Sequence, residues 1–249
     1  MAEKHFYEQK RFTNNYLIPY FLKYVPDFHN KRILEVGCAE GGLIEALQEN
    51  GMYAVGIELS PERAVVAKEK NPKLNVFVGD ITDPNLANQL NETFDMIIMR
   101  EVIEHVPDKK AAFENLVRLT SSDGFIFISF PPKFSPFAGH QQIGKSFMKA
   151  IPYLHIFPAN LLKIVAKSLR EDDSYIDEIK HHFQTGCSIN EFERQCAAHN
   201  LISVKKEFFF FRPIYALRFG LRTISLPNIP LLRENISFGC ETLLKKKGK

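Results

Sequence analysis

Residues 31–42 read KRILEVGCAEGG, and this stretch decides the fold class. Ile33–Val36 is a short apolar run suited to a buried strand, and it breaks directly into a glycine-rich turn at Gly37. LIEALQEN follows with helical spacing until Gly51 stops it. Strand, turn and helix open a βαβ unit, and the pattern repeats downstream. Tyr53–Ile57 predicts a second strand, and Ser60 caps a helix to Lys70 with Pro61 at its first position. Asn75–Val78 predicts a third strand, Phe94–Met99 a fourth, and Gly124–Phe130 a fifth after a helix over Lys110–Leu119. Strands alternating with helices of this length imply a doubly wound, parallel α/β sheet.

Upstream, Tyr16, Tyr20 and Tyr24 fall four apart beside Leu17, Phe21 and Val25. That spacing predicts a helix over 13–25, flawed at Pro19 and packed over the sheet edge. Downstream, residues 131–187 read as a helical lid insertion. Within it Leu161, Leu162, Val165, Ala166 and Leu169 share one helix face, while Lys163, Lys167 and Arg170 share the other. Ser188 and Glu191 form a capping box that starts a helix ending at His199. Ile202–Phe211, with its run of four phenylalanines, and Ile236–Leu244 predict a last, partly antiparallel pair around a loop through Pro213, Pro227 and Pro230. The expected architecture is therefore seven strands in a mostly parallel sheet with an insertion after strand five. Its segments are a helical start (1–30), a ligand-binding core (31–130), the insertion (131–187) and the closing helix and strands (188–249). KKKGK at 245–249 reads as a solvated tail.

Composition narrows the class. With 249 residues, 45% apolar and 24% charged, the chain is globular, neither disordered nor collagen-like. The net charge of +3 hides an imbalance: 14 basic against 19 acidic side chains in 1–130, and 18 against 10 in 131–249. An acidic first half and a basic second half imply two different jobs. Cys38, Cys187, Cys196 and Cys240 have neither metal nor disulfide-framework spacing, which predicts reduced thiols in a cytoplasmic protein. MAEKHFYEQK lacks the apolar region of a secretory signal, and no run of about 18 apolar residues predicts a membrane-spanning helix.

Open α/β sheets bind ligands beyond the carboxyl ends of their strands, so the residues following each strand carry the functional reading. The turn at 37–42 lets a ligand approach backbone closely at a helix N-terminus. Glu58 can accept from both hydroxyls of a ribose, and Asp80 can accept from an exocyclic amine such as that of adenine. Together they describe a nucleoside site. Gly37-x-Ala39-x-x-Gly42 also fits the loose dinucleotide pattern, which keeps a nicotinamide dehydrogenase as a distant alternative.

The successive motifs ILEVGCAEGG, GIELS, VGDITD and FDMIIMREVIEHVPD resemble those of class I S-adenosylmethionine-dependent methyltransferases. The nearest likeness is to the type 11 and ubiquinone-biosynthesis O-methyltransferase-like group, over residues 31–130 and loosely to 249. The resemblance implies a Rossmann-like fold, S-adenosyl-L-methionine as cofactor, and methyl transfer. It implies that Gly37 and Gly41, with Cys38 between them, give room to the methionine part, supported by Glu35. Glu58 resembles the ribose-binding acid and Leu59 the apolar neighbour of the adenine. Asp80 and Ile81 resemble the adenine-edge pair, and Arg100 follows strand four where backbone faces the cofactor's amino group. Ala39 in place of the usual second glycine, and Glu35 in place of the usual aspartate, depart from the pattern.

The acceptor is less legible. The basic half should meet it, which predicts a small, anionic or lipid-linked molecule, with Lys163, Lys167 and Arg170 contributing and a peripheral membrane contact open to them. His140 and His105 are the candidate bases for a hydroxyl acceptor, with His155 a third histidine in the insertion. Glu101-Val-Ile-Glu104-His105 resembles the Glu-x-x-Glu-His element of ubiquinone-pathway O-methyltransferases, associated there with a divalent ion. Glu101, Glu104 and His105 would then hold magnesium or manganese. Pro131-Pro132 before an aromatic resembles the tract of nucleic-acid amino-methyltransferases, but theirs follows strand four, where this chain has REVIEH. That position argues against methylation of a nucleic-acid base. The basic half keeps RNA or protein methylation as an alternative, and a cofactor-binding protein without catalysis is another.

Overall fold

The structure is a computed structural model and describes residues 2–247. Its sheet contains β1 (Arg32–Val36), β2 (Tyr53–Glu58), β3 (Val76–Val78), β4 (Phe94–Arg100), β5 (Thr120–Phe130), β6 (Leu201–Phe211), β7 (Ile224–Leu226) and β8 (Gly239–Lys246). The first helices are α1 (Ala2–Phe12), α2 (Ile18–Tyr24), α3 (Gly42–Glu49), α4 (Pro61–Lys70), α5 (Leu86–Leu90) and α6 (Lys109–Leu119). They are followed by α7 (Ala159–Ser168), α8 (Asp173–Thr185), α9 (Ile189–Ala198), α10 (Pro213–Phe219) and α11 (Pro230–Asn235). No helix among the described residues is long and apolar enough to cross a membrane.

Strand order is β3-β2-β1-β4-β5-β8-β6-β7. Neighbours among β1–β5 pair in parallel, whereas β8 runs antiparallel to both β5 and β6. Winding reverses between β1 and β4, so the residues after these two strands flank the crevice where such sheets bind ligands. The sheet has eight strands and not the expected seven. The addition is β7, three residues paired with β6 inside the stretch expected to be a loop. β8 starts at Gly239 and not at Ile236, and it takes in Lys245 and Lys246 of the expected tail. Lys246 is held there by donating to the Thr120 carbonyl. The last two residues of that tail lie outside the described residues.

Alternating side chains feed two cores, one on each face of the sheet. Leu34, Val36, Ile97 and Ile126 pack with Phe113 and Phe192 on one side. Ile33, Ile98 and Phe127 pack with Phe21 and Leu43 on the other. Burial on both faces explains why the central strands are nearly all apolar.

The first helix starts far earlier than the tyrosine spacing predicts. Helix α1 runs into α2 through a π-helical turn, Thr13–Leu17, where the Ile18 amide bonds back to the Thr13 carbonyl. Pro19 lacks an amide hydrogen and crowds the preceding turn, and the wider turn absorbs both defects. Helix α1 lies so close to α3 that a Cβ on Gly42 would stand 2.2 Å from the Phe6 carbonyl oxygen. The Gly42 amide donates to the Gln9 side chain at 3.2 Å, and Lys10 bridges Glu45 and Glu49.

In the insertion, Met148, Leu154, Leu162, Ala166, Tyr175, Ile176 and Ile179 form a third, smaller core. The stripe of α7 is narrower than the spacing predicts: Leu162 and Ala166 are buried, while Leu161 stands half-exposed. Nearby His155 is fully buried against Phe183, and neither ring nitrogen has a partner. Burial, with Lys180 adding repulsion, depresses its pKa to about 4. The unfolded imidazole binds a proton near pH 6.5 and the folded one does not, so stability present above that pH is lost as pH falls toward 4. Replacing His155 by Leu should flatten this acid limb, the difference from the native chain growing by roughly 2–3 kcal/mol between pH 7 and 4. Urea unfolding at stepped pH measures it; parallel stability curves for the two proteins would refute the assignment.

Candidate functional site

The turn after β1 is built by backbone. Gly37 and Cys38 both donate to the Ile57 carbonyl of β2, at 2.8 and 3.1 Å, and Gly41 closes the turn on Cys38 at 2.9 Å. Gly37 takes φ +74°, and a Cβ there would stand 2.3 Å from Cγ2 of Val102. Only glycine satisfies both conditions. Ala39, which replaces the usual glycine, takes φ +52° and bears a strain of about 1 kcal/mol. Glu58 secures it, one carboxylate oxygen accepting from the Ala39 amide at 2.7 Å and the other from Ser60 at 3.0 Å.

This turn forms one wall of a cavity of about 390 Å³. Glu35, Gly37, Glu58, Leu59, Asp80, Ile81 and Arg100 line it, seven of the nine residues expected around the cofactor. Cys38 and Gly41 are not brought there. Cys38 is turned against Gly56 in the core, where burial pushes its thiol up, and Gly41 sits behind the turn at the head of α3. Glu35 presents a buried oxygen without a partner. Burial pushes its carboxyl well above the usual range, against the pull of the Arg100 guanidinium, which itself lies over the Phe12 ring at 4.7 Å. One Asp80 oxygen accepts from the Thr82 amide and hydroxyl, both at 2.8 Å. Ile81 is buried, with its carbonyl held by Asn115 at 2.7 Å.

Sequence reading missed part of the wall. His5, Glu8 and Gln9 of α1 close the cavity, together with Arg63, Ile214 and Arg218. Glu40 is the strut, bonded to His5 on one side and to Arg63 at 3.2 Å on the other. Glu8 pairs with Arg218, which joins α1 to α10.

A second cavity of about 520 Å³ adjoins the first, and Glu101 and Arg218 line both. Its other walls include Pro131, Phe137, His140, Lys149, Tyr215, Phe219 and Phe238. Glu101 follows β4 at φ +55° and is gripped through both oxygens by Arg212, one arm at 2.9 Å. Burial alone would raise its pKa, but the guanidinium holds it below the usual range. Glu104, on the next turn, is buried with neither oxygen bonded, and burial reinforced by Glu101 pushes it well above that range.

Two histidines, His105 and His140, stand beside Glu104, and a third ring, that of His182, packs against both. His105 lies 5.0 Å from His140 and 5.2 Å from His182, and His140 stacks on His182 at 4.3 Å, centroid to centroid. Burial, helped by the other two rings, depresses His105 to about 4. The metal set expected from the motif does not assemble: Glu101 is drawn off by Arg212, while His140 joins Glu104 and His105 with ligand atoms within 4.8 Å of one another. Lys163, Lys167 and Arg170, expected to meet the acceptor, line neither cavity. Lys163 is paired with Asp177 at 2.7 Å on the surface.

A family profile described as a methyltransferase domain matches residues 7–176, more than half of the chain. The chain belongs to this methyltransferase family. It is 33% identical over 101 residues to a ubiquinone biosynthesis O-methyltransferase of Pseudomonas fluorescens (strain Pf0-1), covering 40% of the chain and 44% of that protein. A ubiquinone biosynthesis O-methyltransferase of Aliivibrio fischeri (strain MJ11) is 27% identical over 161 residues, covering 63% and 62%. The chain thus spans about half the length of the curated relatives it matches. Among solved structures, the plantazolicin methyltransferase BamL, solved with SAH, superposes with a TM-score of 0.62 at 11% identity, over 99% of this chain and 87% of that one. An S-adenosylmethionine-dependent methyltransferase of Mesorhizobium loti gives 0.58 at 14% identity, over 92% and 96%. These structures share the fold.

The turn supplies a direct check. Gly37→Ala should weaken S-adenosylhomocysteine binding by about tenfold or more, because left-handed strain of about 1–2 kcal/mol adds to the clash with Val102. Adding Val102→Ala removes the clash and should restore part of the affinity, measured by calorimetry. No change in the single variant would show that the turn tolerates a side chain.

Proposed function

We propose that the chain transfers the methyl group of S-adenosylmethionine to an oxygen of a small acceptor held in the second cavity. The supporting observation is the junction of the two cavities at Glu101, with His105 lining the first and His140 the second. The first cavity suits the cofactor. Glu35 offers an unpartnered oxygen to an ammonium group, Gly37 leaves backbone open, and the Glu58 oxygens each retain a lone pair for a ribose hydroxyl. The cofactor supplies an electrophilic methyl on a sulfonium, and the chain must align it with the acceptor and exclude water.

The second cavity suits an aromatic or otherwise flat acceptor, with Phe137, Tyr215, Phe219 and Phe238 in its walls. Lys149 is exposed at its edge and favours an anionic group there, a part earlier expected of the α7 cations. Burial lowers the pKa of His140, so at neutral pH its imidazole is uncharged and free to take a hydroxyl proton. His105, depressed as well, abuts it and completes an uncharged wall. Oxygen as the receiving atom follows the curated relatives, which are named for O-methylation. All four cysteines are free and buried, which supports a reducing, cytoplasmic setting.

Calorimetry with S-adenosylhomocysteine against NAD tests the cofactor reading, and binding of NAD alone would refute it. A screen of cell extract with labelled S-adenosylmethionine, sorted into small molecules, lipid, RNA and protein, tests the acceptor. Label confined to RNA or protein would overturn the small-molecule assignment. With an acceptor in hand, His140→Ala should lower kcat by about 10²–10⁴ while leaving S-adenosylhomocysteine affinity unchanged.

A further inference from the structure

The resemblance to the Glu-x-x-Glu-His element implies magnesium or manganese on oxygen and imidazole ligands, and the folded chain does not fit such an ion. Magnesium requires near-octahedral oxygen ligands. Both Glu101 oxygens accept from the Arg212 guanidinium, whose positive charge repels a cation there, which leaves one carboxylate, that of Glu104. What stands beside Glu104 is nitrogen from His105 and His140, and the His182 ring packs against both of these.

We propose that Glu104, His105 and His140, with the His182 ring packed against both histidines, form a site for a divalent transition metal of the zinc type. Glu104 is only 5% exposed, and neither of its oxygens has a hydrogen-bond donor. A carboxylate so placed is costly unless a cation or donor meets it. The Nδ1 atom of His182 is likewise buried without a partner. Imidazole nitrogens with a single carboxylate are the donor set of zinc and its neighbours, not of magnesium.

The ligand atoms of the first three residues already lie within 4.8 Å of one another. Bonds of about 2.0–2.2 Å to one ion would draw these atoms closer together. The donors come from separate parts of the fold. Glu104 and His105 sit on the turn Ile103–His105 after β4, His140 stands at φ +52° after β5, and the His182 ring that packs against them is on α8. A bound ion would therefore clip the insertion to the core. In that state His140 is a ligand and no longer the proton acceptor described above. The site itself does not depend on which acceptor is used.

The test is metal binding to the whole chain after treatment with a chelator, independent of methyl transfer. Zinc titrated by calorimetry should bind once per chain, and magnesium should give no heat at millimolar concentration. Cobalt should bind at the same place and show the strong visible bands of a low-coordinate, imidazole-bearing site. Glu104→Gln and His140→Ala should each weaken zinc by more than the roughly 10–100-fold that loss of an outer partner costs. His182→Ala should weaken it by about tenfold, and circular dichroism of the metal-free variants checks that each is folded. His182 lies on a peripheral helix, so its variant still tests the site if Glu104→Gln fails to fold. Undiminished zinc affinity in the folded variants, or binding of magnesium in preference to zinc, would overturn the proposal. S-adenosylhomocysteine binding on the same samples separates failure of the metal site from failure of the methyltransferase reading.

Discussion

The two-armed ion pair between Glu101 and Arg212 is the constraint on which the rest of the site depends. Glu101 stands at the carboxyl end of β4 in a left-handed conformation that a residue with a Cβ adopts only under compulsion. Arg212 follows β6, and its side chain packs so closely over Gly239 that a Cβ there would stand 2.8 Å from the guanidinium Nε. The pair joins the parallel half of the sheet to the antiparallel half above the crevice. Its two planar groups meet through parallel bonds, an arrangement that lysine could not reproduce.

Several features of the crevice follow from that pair. Glu101 belongs to the walls of both cavities, so the position of its carboxylate sets where one ends and the other begins. The fixed negative charge of Glu101 also raises the proton affinity of Glu104. Further back, Glu241 lies near enough to feel both Arg212 and Arg100, yet burial still raises it to about 7. Tyr16 donates to it at 2.8 Å, which ties the N-terminal helices into the same buried network. Charge is thus concentrated at the carboxyl ends of the strands, while the two cores below remain apolar.

Most of β1 to β5 was legible because a parallel strand buried on both faces must be an apolar run, and the first three runs are closed by a glycine or an N-cap. Glu35, Glu58 and Asp80 were legible for the same reason: they stand where such strands end. Helix α1 was not. Of its residues, Phe6 and Phe12 are buried, and that pair makes no continuous stripe. What places α1 is the bare backbone of Gly42 and the polar contacts of Gln9 and Lys10, tertiary facts without a local signature. The same holds for β7, whose three residues are strand only because β6 lies beside them. His182 was equally hidden, since its meaning rests on two other histidines, 77 and 42 positions away in the chain. The basic face of α7 misled because spacing describes which side chains share a face and not what that face looks onto.

The place of β8 in the sheet bears on how the protein is made. A ribosome delivers β6 and β7 before β8, yet β8 alone joins them to β5. The five parallel strands can assemble with their helices as they emerge, whereas the phenylalanine-rich β6 must wait with an open edge until residue 246 is out. During that interval the growing chain exposes a strand eager for any partner, and slow elongation over this stretch lengthens the exposure. The antiparallel strand that completes the sheet is therefore also the one on which the burial of the late-synthesised segment waits.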